Sequence, residues 1–147
     1  MKYKNNPLNI RYNKSNSWLG LTGSNNGFCE FDSLFHGFRA ALIILKRYRQ
    51  YGKVSVTDII SRWAPKSDNN NTEAYINFVC DKCDISPIEP VGENMYKSIL
   101  LAMSQVEQGY YDSRWEKPLS NALFNQHIKC YETLIKRLKI VLIIDKI

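Results

Sequence analysis

The chain has 147 residues, of which 44% are apolar, and it carries a formal net charge of +6. This length suits one globular domain over residues 1–147, and no run approaches the roughly 20 apolar residues of a transmembrane helix. The positive charge favours an anionic partner, which nucleic acid, an anionic membrane and an acidic cell-wall polymer would all satisfy.

The two ends of the chain give expectations about its location. Met1 is followed by Lys and Asn residues rather than by the apolar core of a signal peptide, so synthesis in the cytoplasm without a signal peptide is expected. The run IVLII at 140–144 is too short to span a bilayer, and we expect a buried strand or the end of a core helix there. No membrane partner is therefore predicted.

The first part of the chain predicts a small β-meander. LNIRY (8–12), SWLGL (17–21) and GFCEF (27–31) are short strand-like segments, and SNNG between the last two is typical of a hairpin turn. The whole stretch from Asn5 to Gly23 is dense in Asn and polar for a sheet, which raises the question of what it does.

Five helices are predicted after the meander, because apolar residues recur at spacings of three and four. Asp32 or Ser33 is expected to cap the first helix and Thr57 the second, while Gly109 suits the end of the fourth. The fold class is therefore α+β and mostly α. The predicted helical segments are 34–52, 58–63, 73–83, 93–108 and 119–138.

Four cysteines allow two interpretations. Cys80 and Cys83 form C-x-x-C, and His127 with Cys130 forms H-x-x-C, so these four residues are one candidate set of zinc ligands. The second pair does not follow a familiar finger spacing, which favours free thiols. We expect neither a metal nor a cofactor.

Glu107 is the carboxylate whose position suggests chemistry. It lies in the last turn of the fourth predicted helix, beside its apolar face. Partial burial and the negative end of the helix dipole both disfavour the ionised form and should raise its pKa. A carboxyl that keeps its proton at neutral pH can act as the general acid of a glycosidase. The alternative is an ordinary solvated glutamate.

Several motifs together resemble the phage-type structural or virion lysozyme-like proteins. They are NPLNIRY, WLGLTG, GFCEFDSLFHGFRAA, ISRWAPKSDNNNTEAYI and ILLAMSQVEQG, and they cover residues 5–110. Leu8 stands where that family has Gly, and Gln108 stands where it has Asn. Residues 111–147 follow as a helical extension that the pattern does not explain; it is expected to cap the core, bind a partner or fix the protein in a larger particle.

The resemblance implies a lysozyme-like fold that cleaves peptidoglycan, with Glu107 as general acid. Its elements occur here in a circularly permuted order, so the Asn-rich segment would form a wall facing Glu107 across a glycan cleft. Asn9 and Arg11 would bind sugar hydroxyls and carboxylates, and Trp18 would stack on a pyranose. Glu30 is the candidate second carboxylate, Asp32 a weaker one, and Thr22 could position a water.

Three functions from different classes remain open at this stage. The first is a muramidase or lytic transglycosylase acting on the glycan strand of peptidoglycan in the periplasm, after delivery by phage lysis, a virion or a secretion apparatus; an immunity protein would then be a partner. The second is a non-catalytic virion structural or glycan-binding module. A nucleic-acid-binding domain suits the charge but lacks a recognition helix, so nucleic acid is not expected as a partner.

Overall fold

The computed structural model describes residues 1–144. Helices dominate this part of the chain, and its strands form one two-stranded antiparallel sheet, which confirms the α+β, mostly α fold class. The elements are β1 Leu21–Asn25, β2 Phe28–Phe31, α1 Leu34–Gln50, α2 Val56–Trp63, α3 Thr72–Cys83, α4 Tyr96–Gln108 and α5 Glu116–Ile144. Short 3-10 turns cover Lys66–Asp68, Glu93–Met95 and Ser113–Trp115.

The β1–β2 hairpin turns at Asn26 and Gly27, inside the predicted SNNG turn. Both residues have positive φ, 49° and 80°. A two-residue turn of type I′ requires positive φ at both positions, which is why Asn-Gly is the preferred pair there. The predicted hairpin turn is confirmed.

The other two predicted strands are not formed, so the expected three-stranded meander is a hairpin with one isolated bridge from Arg11 to Phe28. Asn9 has φ 48° and Gly20 has φ 77°, and both values break an extended backbone. The alternation in 8–12 instead reflects burial, because Leu8 and Ile10 are in the core. A strand-like pattern cannot distinguish buried irregular chain from a paired strand.

Helix α2 begins at a different cap from the one expected. Ser55 caps α2 and forms a capping box with Asp58, so Thr57 already lies inside the helix. Asn71 caps α3 by accepting from Ala74 N–H. The cap is the residue whose side-chain oxygen reaches the third helical N–H, and near neighbours of the same type compete for that place.

The ends of two helices agree with the sequence. Ser33, one of the two expected residues, caps α1. Gly52 and Gly109 follow α1 and α4 with φ of 74° and 77°. This left-handed conformation favours glycine after a helix C-terminus.

One hydrophobic core receives side chains from the N-terminal segment, the hairpin and all five helices. The Ser113–Trp115 turn and the first turns of α5 belong to it, because Trp115, Leu119 and Ala122 are fully buried. The predicted extension 111–147 therefore begins inside the core. Gly37 on α1 is packed against the N-terminal segment so closely that a Cβ there would lie 2.1 Å from the Asn5 carbonyl oxygen.

The outer part of α5 leaves the core. Ile140 and Val141 are more than half exposed, so the burial expected for the IVLII run is wrong for these two residues. Helix α5 packs on α1, and its residues as far as Arg137 line a groove between the two helices. Within residues 1–144, no helix has both the length and the apolar character needed to cross a membrane.

Candidate functional site

The N-terminal segment is organised by the buried side chain of Asn6. Its amide nitrogen donates to the carbonyls of Ile10 at 3.0 Å and Cys29 at 2.8 Å, and its amide oxygen accepts from Ile10 N–H at 2.8 Å. An irregular buried backbone needs such partners because its polar groups lack a regular ladder. The Asn-rich opening of the chain is therefore a hydrogen-bonded scaffold.

Gln108 ties this scaffold to the end of α4. Its side-chain nitrogen donates to the carbonyl of Pro7 at 3.1 Å and to the amide oxygen of Asn9 at 3.0 Å. Its side-chain oxygen accepts from Lys2 N–H at 2.9 Å. The bond to Asn9 fixes which way that amide points, because the Asn9 oxygen is engaged and its nitrogen must face the other way.

The Asn9 nitrogen faces Glu107, where three elements converge on one carboxylate. Asn9 donates to Oε2 at 2.7 Å. Trp63 at the end of α2 donates to Oε1 at 3.2 Å, and Tyr75 on α3 donates to the same oxygen at 3.0 Å. The structure thus brings predicted residues Glu107 and Asn9 together and holds the carboxylate in one orientation.

The electrostatics of Glu107 balance burial against these donors. Burial raises the pKa of Glu107 above the ordinary value of a glutamate, and the hydrogen bonds from Asn9, Tyr75 and Trp63 lower it in part. The direction is the one expected from its position in the sequence. The pKa of Tyr75 is raised well above its ordinary value by burial and by the neighbouring Glu107 charge, so the phenol keeps its proton and acts as a donor.

We expect the melting temperature of the Glu107→Gln variant to rise relative to that of the wild type as the pH increases. A carboxyl whose pKa is raised on folding favours the folded state below its unfolded pKa of about 4.3, and this contribution disappears as pH rises through the folded pKa. Glutamine does not titrate, so the variant should gain on the wild type as pH rises from about 4 through the folded-state pKa of Glu107. Thermal unfolding in a pH series measures the difference.

The exposed Glu73 supplies the control for this experiment. Glu73→Gln removes the same charge from the surface at the start of α3, and its melting-temperature difference from the wild type should lack that rise. If the melting temperature of Glu107→Gln minus that of the wild type stayed constant or declined with pH, the raised pKa of Glu107 would be contradicted.

A cavity of about 630 Å³ lies between α3 and the end of α4, with Glu107 in its wall. This volume is within the roughly 300–1,000 Å³ of small-molecule sites. Amide side chains and aromatic rings dominate the lining, and amides can both donate to and accept from sugar hydroxyls. These lining residues are Asn70, Asn71, Gln105, Tyr75, Phe78 and Tyr110.

None of the four predicted binding residues lines this cavity, although Asn9 contacts Glu107 in its wall. Arg11 is exposed and pairs with Asp68 at 3.3 Å, which links the N-terminal segment to the loop that carries Asn70. Trp18 is only 8% exposed, and the Arg47 guanidinium lies 5.3 Å from its ring centroid. Its ring therefore packs in the core and is not presented as a platform for a sugar.

The predicted second catalytic group, Glu30, is not among the residues that line the cavity with Glu107. Glu30 lies on the outward face of β2, opposite the buried Cys29 and Phe31. Thr22 donates to the Glu30 carbonyl at 3.1 Å, which is a contact within the hairpin. Asp32, the weaker candidate, is engaged by His36 at 2.6 Å.

Sequence reasoning missed two residues that contact Glu107 directly. Neither Trp63 nor Tyr75 is among the candidate site residues predicted from the sequence, and Tyr75 is buried. Their polar atoms nevertheless reach the carboxylate. The sequence does contain a signal for these contacts. A buried Trp N–H or Tyr O–H needs a hydrogen-bond acceptor, and Glu107 is the one carboxylate predicted to border the same core.

The cysteines do not converge. Cys80 and Cys83 lie at the end of α3, whereas Cys130 is exposed on α5, and all are free thiols. Within residues 1–144, no group of three or more His, Cys, Asp or Glu side chains is arranged to hold a metal ion.

Comparison with known proteins gives one informative relationship. The chain is 38% identical over 110 residues to "Protein P5" of Pseudoalteromonas phage PM2, and the aligned part covers 71% of this chain and 68% of that protein. No protein-family model matches the chain.

Proposed function

We propose that this chain, which belongs to the family of protein P5 of Pseudoalteromonas phage PM2, cleaves the glycan strand of peptidoglycan with Glu107 as its acid. The observation that supports the proposal is a half-buried carboxyl of raised pKa, oriented by three donors in the wall of a cavity lined by amides and rings. A general acid has to keep its proton near the working pH, and burial is a common way to achieve this.

The proton is best placed on Oε2 of Glu107. A carboxylate has about four lone-pair sites, and Oε1 already accepts from Trp63 and Tyr75. Oε2 accepts from Asn9 alone, which leaves one site on that oxygen. From there the proton would pass to the glycosidic oxygen as the bond to the anomeric carbon breaks.

A single carboxylate favours the lytic transglycosylase reaction. Inverting and retaining hydrolases need a second carboxylate about 6.5–9.5 Å or about 5 Å from the acid. Among the residues that the structure describes, Glu107 is the one carboxylate that lines the cavity. After it has given up its proton, Glu107 can accept one from a hydroxyl of the cleaved sugar. That oxygen then closes on the anomeric carbon to give an anhydro-sugar, and no water is consumed.

The basic charge of the chain supports an anionic polymer as substrate. Residues 1–65 carry 10 Lys and Arg against 3 Asp and Glu, and long-range attraction of this kind raises the local concentration of an anionic partner. The proposed place of action is the periplasm, reached by phage lysis, a virion or a secretion apparatus. In the last case an immunity protein would cover the cleft.

Release of soluble muropeptides from purified sacculi tests the proposal. We expect the wild-type protein to release products whose terminal muramic acid is lighter by one water than a reducing end. Heat-denatured protein is the control. Binding to sacculi without release would contradict catalysis and favour the non-catalytic glycan-binding module.

We expect Tyr75→Phe to shift the basic limb of the pH–activity profile upward. The substitution removes a donor to ionised Glu107, so the pKa of the carboxyl should rise further and the protonated acid should persist to higher pH. Tyr110→Phe is the matched control, because Tyr110 also lines the cavity and makes no hydrogen bond to Glu107. Equal profiles for Tyr75→Phe and Tyr110→Phe would contradict the role given to the Tyr75 hydroxyl.

A further inference from the structure

The outer part of α5 carries an exposed apolar stripe that the proposed function does not use. Phe124, Ile128, Tyr131, Ile135 and Leu138 are between 40% and 67% exposed. We call these five residues the α5 stripe. Large contiguous apolar surfaces on soluble proteins mark interaction sites.

The spacing within the α5 stripe is alternately four and three residues. This is the heptad pattern in which one helix presents a continuous seam to another helix. Ile128 and Ile135 alternate with Tyr131 and Leu138, so β-branched residues occupy one of the two core positions and other large residues the second.

The charges on α5 argue against a lipid surface as the occupant. Lys129 and Arg137 line a groove of about 390 Å³ between α5 and α1, together with Arg39 and Lys46 of α1. They therefore lie on the side of the helix that faces the protein body. Cations that bind anionic headgroups should flank the apolar face; Lys139 does so, but Glu132 lies on the same flank and offsets its charge.

One flank of the α5 stripe carries charges that can pair with the same flank of a second copy of the chain. Glu132 and Lys139 follow Ile128 and Ile135 by four residues each, so both lie on the same flank. In an antiparallel pair this flank faces its own copy, and Glu132 of each chain would oppose Lys139 of the other. The opposite flank carries the exposed apolar residue Val141, which widens the seam, whereas Leu134 lines the groove towards α1.

We propose that the α5 stripe is the interface of a two-fold antiparallel homodimer whose axis lies near Ile135. Each interface residue then meets its partner reciprocally, as a two-fold axis requires. The described part of α5 that is symmetric about Ile135, residues 126–144, spans about 28 Å, which is long enough for a short coiled-coil contact. The cavity with Glu107 lies away from this seam, between α3 and α4.

Sedimentation equilibrium or light scattering at several concentrations tests the dimer, with a reductant present so that exposed Cys130 cannot cross-link. We expect a mass approaching twice 17.1 kDa as the concentration rises. Ile135→Asn should weaken dimerisation by about ten-fold or more, because it places an amide in the apolar seam. Lys136→Asn, one position away on the polar side, should leave it unchanged.

A charge exchange tests the orientation. Glu132→Lys and Lys139→Glu should each weaken the dimer by about three- to ten-fold through like-charge contacts, and the double variant should restore it. These residues are exposed, so loss of folding is not expected, and circular dichroism checks it. A monomer at every concentration would overturn the proposal. So would an unrestored double variant, or binding to anionic vesicles that needs Ile135 while the free protein stays monomeric.

Discussion

Glu107→Gln should reduce the initial rate of muropeptide release by about 10²- to 10⁴-fold, the usual contribution of a general acid. Glutamine has nearly the same shape and can keep part of the contact with Trp63 and Tyr75, but it has no proton to give to the glycosidic oxygen. Liquid chromatography with mass spectrometry of the soluble fraction measures the rate. Binding to sacculi should persist, because the cavity lining is unchanged.

Glu30→Gln is the matched control for this loss. Glu30 lies on the outward face of β2 and has no contact with Glu107, so its substitution should leave the rate within about three-fold of the wild type. Both variants should show wild-type circular dichroism. If the Glu107→Gln variant were active, or if the Glu30→Gln variant lost as much activity as Glu107→Gln, the proposal that Glu107 acts as the acid without a second carboxylate would be contradicted.

Asn6→Ala should lower the free energy of unfolding by about 2–4 kcal/mol, a large effect for a polar substitution. Asn6 is fully buried, and its amide makes three hydrogen bonds to the backbone of Ile10 and Cys29. Alanine leaves buried backbone groups without partners and opens a small void. Urea or thermal unfolding measures the change.

Asn6→Ala should also reduce activity in the folded fraction, because the scaffold around Asn6 positions Asn9 on Glu107. Asn13→Ala is the control: Asn13 is exposed and makes one local bond to Ser15 N–H. Its effect should stay within about 0.5 kcal/mol. Similar stabilities for the two variants would contradict the role of the N-terminal segment as a buried scaffold.

The helices could be predicted because their signals are local. Apolar spacing located all five, and Gly52 and Gly109 located two of their ends. The N-cap of α2 was predicted less accurately. Ser55 and Thr57 both have a side chain that can cap a helix, and the N-cap is the residue whose hydroxyl reaches the third helical N–H. The strand predictions were wrong where Asn9 and Gly20 turn the chain, because the apolar alternation there reflects the burial of side chains and not strand pairing.

The site was predictable only in part. Glu107 could be found because its place at the end of a helix beside an apolar face is visible in the sequence, and Asn9 followed from the resemblance. Trp63 and Tyr75 could not be assigned, because their contacts with Glu107 span 44 and 32 residues of sequence. For Trp18 the opposite happened: it was predicted to bind a sugar because it lies in a polar segment, but its side chain is buried.

Digestion of sacculi in water enriched in oxygen-18 tests the central claim most directly. If Glu107 acts alone as acid and then as base on the cleaved sugar, muropeptides will be released as anhydro-sugars that carry no heavy oxygen. Incorporation of one heavy oxygen at a reducing end would mean that a water is activated by a group other than those described here. No release at all would contradict glycan cleavage itself.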